Sequence, residues 1–134
     1  FSDASAGKVA TLFKSHNPDY ADGGQSRDFV SVDDCVAVVM WLLDHPDVCG
    51  LYNCGSGKAR SFLDLVTAVY AAMGREPVIN FVPTPEEIRD KYQYFTEADM
   101  NRLRAAGYDA PATSLEDGIA SYVRDFLATD DPYR

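Results

Sequence analysis

The apolar positions fall into two rhythms. Phe62, Leu65, Val66, Val69 and Met73 recur at i, i+3, i+4, i+7 and i+11, the stripe of an amphipathic helix. Ser61 precedes this stripe as N-cap and Gly74 follows it as the stop. Leu115, Ile119, Tyr122, Val123 and Phe126 form a second stripe behind Ser114. Between Ser31 and Pro46, Cys35, Val36, Val38, Val39, Met40, Leu42 and Leu43 leave few polar sides. This pattern predicts a largely buried helix with Trp41 in the core. Short runs at 9–13, 27–30, 50–54 and 77–82 read as strands, 50–54 as a buried one.

Helix punctuation completes the outline. Ser31 with Asp34, Ser61 with Asp64, Thr84 with Glu87, Thr96 with Asp99 and Ser114 with Asp117 all have capping-box spacing. They predict helices that end near His45, Met73, Lys91, Gly107 and the C-terminal region, with Pro85 at the first position of the short third one. Residues 1–7 read as the end of a helix stopped by Gly7. Residues 14–26 form a polar loop with Pro18 and the Gly23-Gly24 pair, and the tail 130–134 reads as frayed. The predicted order is β-β-α-β-α-β-α-α-α behind a helix stub. That is a small α/β unit with several helices, not a complete doubly wound sheet.

Length and charge narrow the partners. The 134 residues make one domain, and 46% hydrophobic content supports a packed core. A net charge of −9 argues against nucleic acid and against an anionic membrane surface as partner. No apolar run approaches the ~20 residues of a membrane span, and no signal peptide is present. Cys35, Cys49 and Cys54 are odd in number and form no C-x-x-C pair, so they read as reduced thiols in a cytoplasmic protein. His16 and His45 are the only histidines, and no metal-ligand spacing involves them. The chain starts at Phe1, and its opening helix end suggests a piece of a longer protein.

Candidate chemistry centres on Arg27. A glycine turn delivers it to a short β-like run that feeds the Ser31 helix start. A guanidinium in such a place suits a phosphate bidentately. The alternative is an ion pair with Asp28 or Asp33. The paired acids Asp33-Asp34 and Glu86-Glu87 sit at helix starts and read as capping groups rather than acid/base catalysts.

Arg27-Asp28-Phe29-Val30, with Val32 and Asp33 behind it, resembles the signature of extended short-chain dehydrogenases that act on nucleotide sugars. Tyr52-Asn53-Cys54-Gly55-Ser56-Gly57 looks like the Y-N-x-G-x-G turn of the same family. Lys91-Tyr92-Gln93-Tyr94-Phe95-Thr96-Glu97-Ala98-Asp99 and Leu103-Arg104-Ala105-Ala106-Gly107-Tyr108 narrow the resemblance to the ADP-heptose epimerases within it. Residues 1–134 are then similar to the C-terminal substrate-binding domain alone. The N-terminal Rossmann part would carry the glycine-rich NADP loop and the catalytic Y-x-x-x-K pair. Neither motif occurs here, so no catalytic, cofactor-binding or metal-binding residue is expected in this chain.

The resemblance implies substrate contacts from Phe13, Lys14, Ser15, His16, Arg27 and Tyr92. Asn53 is a second-tier candidate, and Tyr94 and Phe95 are expected in the core. For the intact enzyme the resemblance implies a cytoplasmic homo-oligomer acting on ADP-heptose for lipopolysaccharide assembly. NADP would oxidise C6 of the heptose, and the hydride would return to the opposite face. Two other readings stay open. One is a different NAD(P)-dependent nucleotide-sugar epimerase, dehydratase or reductase. The other is a freestanding α/β binding module without catalysis.

Overall fold

The computed structural model describes residues 1–131. The chain runs α1 (Ser2–Ser5), β1 (Ala10–Phe13), β2 (Ser26–Arg27), α2 (Val32–Asp44), β3 (Arg60–Ser61), α3 (Phe62–Ala72), β4 (Ile79–Val82), α4 (Glu86–Arg89), α5 (Asn101–Ala105) and α6 (Leu115–Tyr122). A π-helical turn, Val123–Leu127, extends α6. Two small sheets hold the strands. β1 pairs in parallel with β4, Ala10 opposite Ile79 and Phe13 opposite Val82. β2 pairs antiparallel with β3, Arg27 opposite Arg60. Helix α3 packs along α6 and also touches β1. The expected small α/β unit is therefore present, and no larger sheet joins the strands of the described residues.

The three serines cap their helices, but only one of the three predicted boxes is complete. Ser61 and Asp64 make a complete capping box, each side chain taking the other's backbone N–H. Ser114 Oγ accepts from Asp117 N at 3.1 Å. Ser31 Oγ accepts from Asp33 N, while the Asp34 carboxylate takes the N–H and hydroxyl of Thr113. Gly7 and Gly74 follow their helices at φ of 71° and 66°, the left-handed conformation that a glycine stop supplies.

The two threonine boxes do not form. Thr84 Oγ1 donates instead to Lys14 O at 3.0 Å, and α4 begins after Pro85 without a side-chain cap. Thr96 donates its N–H to Ser26 O, in an extended stretch that bridges to β2 through Phe95. Helix α5 consequently starts only at Asn101. In both places a long-range hydrogen bond replaces the local one.

The expectations for 50–54 and α2 also need correction. Residues 50–54 form no strand, because no other strand of the described residues lies alongside them. Leu51 is 82% exposed there. The segment is held by side chains: Tyr52 faces the Arg102 guanidinium at 5.3 Å, and Asn53 Nδ2 donates to Asp99 O. The third strand lies further on, at Arg60–Ser61. Within α2 only Val38 is buried; Val32, Val36, Val39, Met40 and Leu43 are exposed. Trp41 is half-buried rather than core, stacked on His45 at 4.3 Å and edge-on to Tyr108. Tyr94 is half-buried and Phe95 is exposed, so neither belongs to the core. In the tail, Asp130 and Asp131 are exposed, while 132–134 lie outside the described residues.

Candidate functional site

Strand β1 ends at Phe13, and this end opens on a cleft. Thr11, Leu12, Phe13, Gln25, Phe62 and Tyr92 line about 250 Å³ of it. The Tyr92 ring stands edge-on to Phe13 at 6.3 Å and to Tyr94 at 5.5 Å. Arg27 lies over two of the lining rings, its Cζ 5.7 Å from the Phe62 centroid and 5.6 Å from that of Tyr92. Such cation–π contacts hold a guanidinium with roughly 0.5–2 kcal/mol each while leaving its N–H edge free. One edge nitrogen, Nη1, donates to Ser26 O at 2.8 Å. Among the described residues Arg27 pairs with no carboxylate. The ion-pair alternative with Asp28 or Asp33 is therefore not what the fold adopts.

The loop after β1 presents its groups unequally. Ser15 donates its N–H to Asp22 and its hydroxyl to Asn17 O. His16 donates its N–H to the Tyr94 hydroxyl at 2.9 Å, and its Nε2 accepts from Thr84 N. Lys14 is held by its backbone, N–H to Val82 O and carbonyl from Thr84 Oγ1. Its side chain is exposed and has no ion pair among the described residues. The fold thus brings Phe13, Arg27 and Tyr92 together at the cleft. It commits the Ser15 hydroxyl to the loop itself and the His16 ring to Thr84 N, beyond β4. Lys14 is left as the loop's free cation.

Sequence reasoning passed over Asp28, which organises the turn behind Arg27. Its carboxylate accepts from Ser56 N at 2.7 Å, Ser56 Oγ at 2.5 Å, Gly57 N at 3.0 Å and Ala98 N at 2.9 Å. Burial acts to raise the Asp28 carboxyl. The Ser56 hydroxyl and the Ala98, Ser56 and Gly57 N–H groups outweigh it and hold the carboxyl below the usual carboxylate range. The hint in the sequence was the aspartate beside Arg27 together with a Gly-Ser-Gly turn rich in free N–H groups. Gln25, buried in the cleft wall, was also missed.

A second, much smaller cavity of about 20 Å³ lies away from this cleft, between Asp34, Val38, Cys54, Met100 and Tyr108. It has room for little more than one water. Burial, with Cys35, Asp34 and Asp28 nearby, pushes the Cys54 thiol up to about 11. Such a thiol is poorly suited to nucleophilic work. No cluster of three metal-ligating side chains occurs among the described residues. No helix among them is long and apolar enough to cross a membrane.

No protein-family model matches the chain. The ADP-L-glycero-D-manno-heptose-6-epimerase of Nitratidesulfovibrio vulgaris is 58% identical to it over 125 residues, which is 93% of this chain and 39% of that protein. The chain thus spans about two-fifths of the length of the curated relatives it matches. Among solved structures, the Helicobacter pylori ADP-L-glycero-D-manno-heptose-6-epimerase superposes with a TM-score of 0.72 at 25% identity, over 95% of this chain and 36% of that one. The Thermus thermophilus UDP-glucose 4-epimerase, solved with NAD, gives 0.67 at 26% identity over 86% of this chain and 34% of that one. At 58% identity over 93% of its length, and with the same small α/β unit in the superposed structure, the chain belongs with the ADP-L-glycero-D-manno-heptose-6-epimerases to the extended short-chain dehydrogenase family.

Proposed function

We propose that residues 1–134 are the C-terminal substrate-binding portion of an ADP-heptose 6-epimerase and that their task is to hold the ADP group of the nucleotide sugar. The observation that carries this reading is Arg27, set between the Phe62 and Tyr92 rings at an aromatic cleft and paired with no carboxylate among the described residues. A diphosphate there meets a pre-aimed guanidinium, with the free ammonium of Lys14 on the adjoining loop as a second cation. The rings suit a base or the apolar face of a sugar. The Tyr92 hydroxyl makes no hydrogen bond among the described residues and is available to a ligand oxygen. The names of the relatives supply the ADP-heptose assignment.

The nicotinamide cofactor does not fit this chain's residues. In the Gly55-Ser56-Gly57 turn, the Ser56 and Gly57 N–H groups that would cradle a phosphate are spent on Asp28. No Y-x-x-x-K pair occurs in the sequence. On this reading, redox chemistry at C6, with NADP as the cofactor, falls to residues other than those of this chain. The intact protein would work as a cytoplasmic homo-oligomer.

Calorimetric titration with ADP, UDP, GDP and dTDP tests the assignment. ADP should bind best, and Arg27→Ala should weaken it by roughly the 1.5–3 kcal/mol of a charge-assisted hydrogen bond. Preference for a pyrimidine nucleotide would point to another nucleotide-sugar enzyme of the family. The 134-residue chain alone should show no epimerase turnover and no tight NADP site. Turnover by a polypeptide of this mass would overturn that part.

A further inference from the structure

Gln25 is the polar residue most deeply set in the cleft wall, only 1% exposed. Its backbone is pinned, the carbonyl accepting from Phe62 N at 3.0 Å. Its side-chain Nε2 donates to two backbone oxygens, Phe13 O at 3.4 Å and Lys14 O at 3.3 Å. Turning the amide over would set Oε1 against both carbonyls, acceptor facing acceptor, which disfavours that orientation. Oε1 takes no hydrogen bond from any described residue. Yet no enclosed side-chain oxygen or nitrogen among the described residues lacks a partner. Oε1 is therefore not sealed in, and the open space that Gln25 borders is the cleft.

The rest of the wall is Thr11, Leu12 and three aromatic rings. About 250 Å³ falls below the ~300–1,000 Å³ of pockets that enclose a drug-sized ligand. It suits one flat ring system, with charged groups outside on Arg27. One oriented acceptor beside three aromatic rings suits a heteroaromatic ring with an N–H on its edge.

We propose that Gln25 reads the nucleobase, its Oε1 accepting a hydrogen bond from the exocyclic 6-amino group of adenine. This inference rests on the nucleotide reading above and adds the residue that selects the base. A uracil ring offers N–H at a different edge position, so the test is confined to purines that differ at one group.

The experiment compares ADP with purine riboside 5′-diphosphate, which lacks only the 6-amino group, by calorimetry on wild type and on Gln25→Leu. Wild type should prefer ADP by roughly tenfold, the worth of one neutral hydrogen bond. Gln25→Leu should bind the two ligands alike. A wild-type preference below twofold overturns the proposal without any variant. Full preference retained in Gln25→Leu overturns it too. Gln25→Met replaces the leucine variant where circular dichroism shows that the latter has not folded. Binding of neither ligand to wild type overturns the nucleotide reading and this inference with it. ADP binding that Arg27→Ala weakens, without any base preference, overturns the Gln25 inference alone.

Discussion

Gly55 and Asp28 touch so closely that no side chain fits between them. A Cβ on Gly55 would lie 2.6 Å from Asp28 Oδ2 and 2.5 Å from the Ala98 Cβ. Gly55 needs no unusual backbone conformation, so the restriction is purely one of space. Gly55→Ala should therefore destabilise the fold by roughly 1–3 kcal/mol, the range for forcing atoms into a packed site. Urea denaturation measures this. An unchanged midpoint would mean that the turn and the Ala98 segment can part without cost.

The same carboxylate makes stability depend on pH. Hydrogen bonds hold Asp28 below its ordinary value in the folded protein, and the unfolded chain titrates near the ordinary value of about 4. Its contribution is thus complete above about pH 4 and is lost as pH falls through the depressed folded value. Asp64 behaves alike, with burial opposing and the Ser61 and Arg60 hydrogen bonds prevailing. Thermal melts from about pH 2.5 to 6 should show wild type losing its advantage over Asp28→Asn toward the acid end. A constant gap between the two melting curves would show that the charge of Asp28 does not matter.

What the sequence disclosed and what it hid follow the range of the interactions. Ser31, Ser61 and Ser114 are N-caps because the N–H groups they accept lie within three residues, although only Ser61 completes its box. Thr84 and Thr96 misled because their groups go to Lys14 O and Ser26 O, 70 residues away in both cases. Asp28 reaches Ser56 and Ala98, and Gln25 reaches Phe13 and Lys14, without any local spacing to betray it. The Arg27 cleft was legible only as a cation after a glycine turn. Its aromatic walls come from β1, α3 and the stretch after α4, which no single window of sequence spans.

Helix α2 shows why apolar content alone misjudges burial. Leu43 is 69% exposed and Val36 is also exposed, whereas Leu103 on α5 is 0% exposed. Val36→Ser and Leu43→Ser should each change stability by no more than about 0.5 kcal/mol in this chain. Leu103→Ala should cost about 2–5 kcal/mol. Parallel denaturation of the three variants checks this. A loss at Leu43 comparable to that at Leu103 would contradict the exposed position of α2.

Arg60 ties α3 to α6. It meets Glu116 through two nitrogens, at 3.2 and 2.7 Å, and Asp64 at 3.2 Å. Glu116 is largely exposed, so water screens the pair and its worth stays near that of a surface bridge. Glu116→Ala should cost about 0.5–1 kcal/mol. The difference should shrink in roughly 1 M salt, where the Debye length falls to about 3 Å. A salt-independent difference would assign the effect to packing.

Tyr92 separates the ring's work from the hydroxyl's. The ring packs against Phe13, Tyr94 and the Arg27 guanidinium, whereas the hydroxyl makes no hydrogen bond among the described residues. Tyr92→Phe keeps every ring contact and should leave stability within about 0.5 kcal/mol of wild type. If the phenol meets a phosphate or sugar oxygen, the same substitution should weaken nucleotide-sugar binding by about 0.5–1.5 kcal/mol. Tyr92→Ala should lose more, because it also removes a wall of the cleft and one support of Arg27. Calorimetry and melting on the two variants distinguish the roles. Full affinity in Tyr92→Phe, with loss only in Tyr92→Ala, would make Tyr92 a support for Arg27 and not a ligand contact.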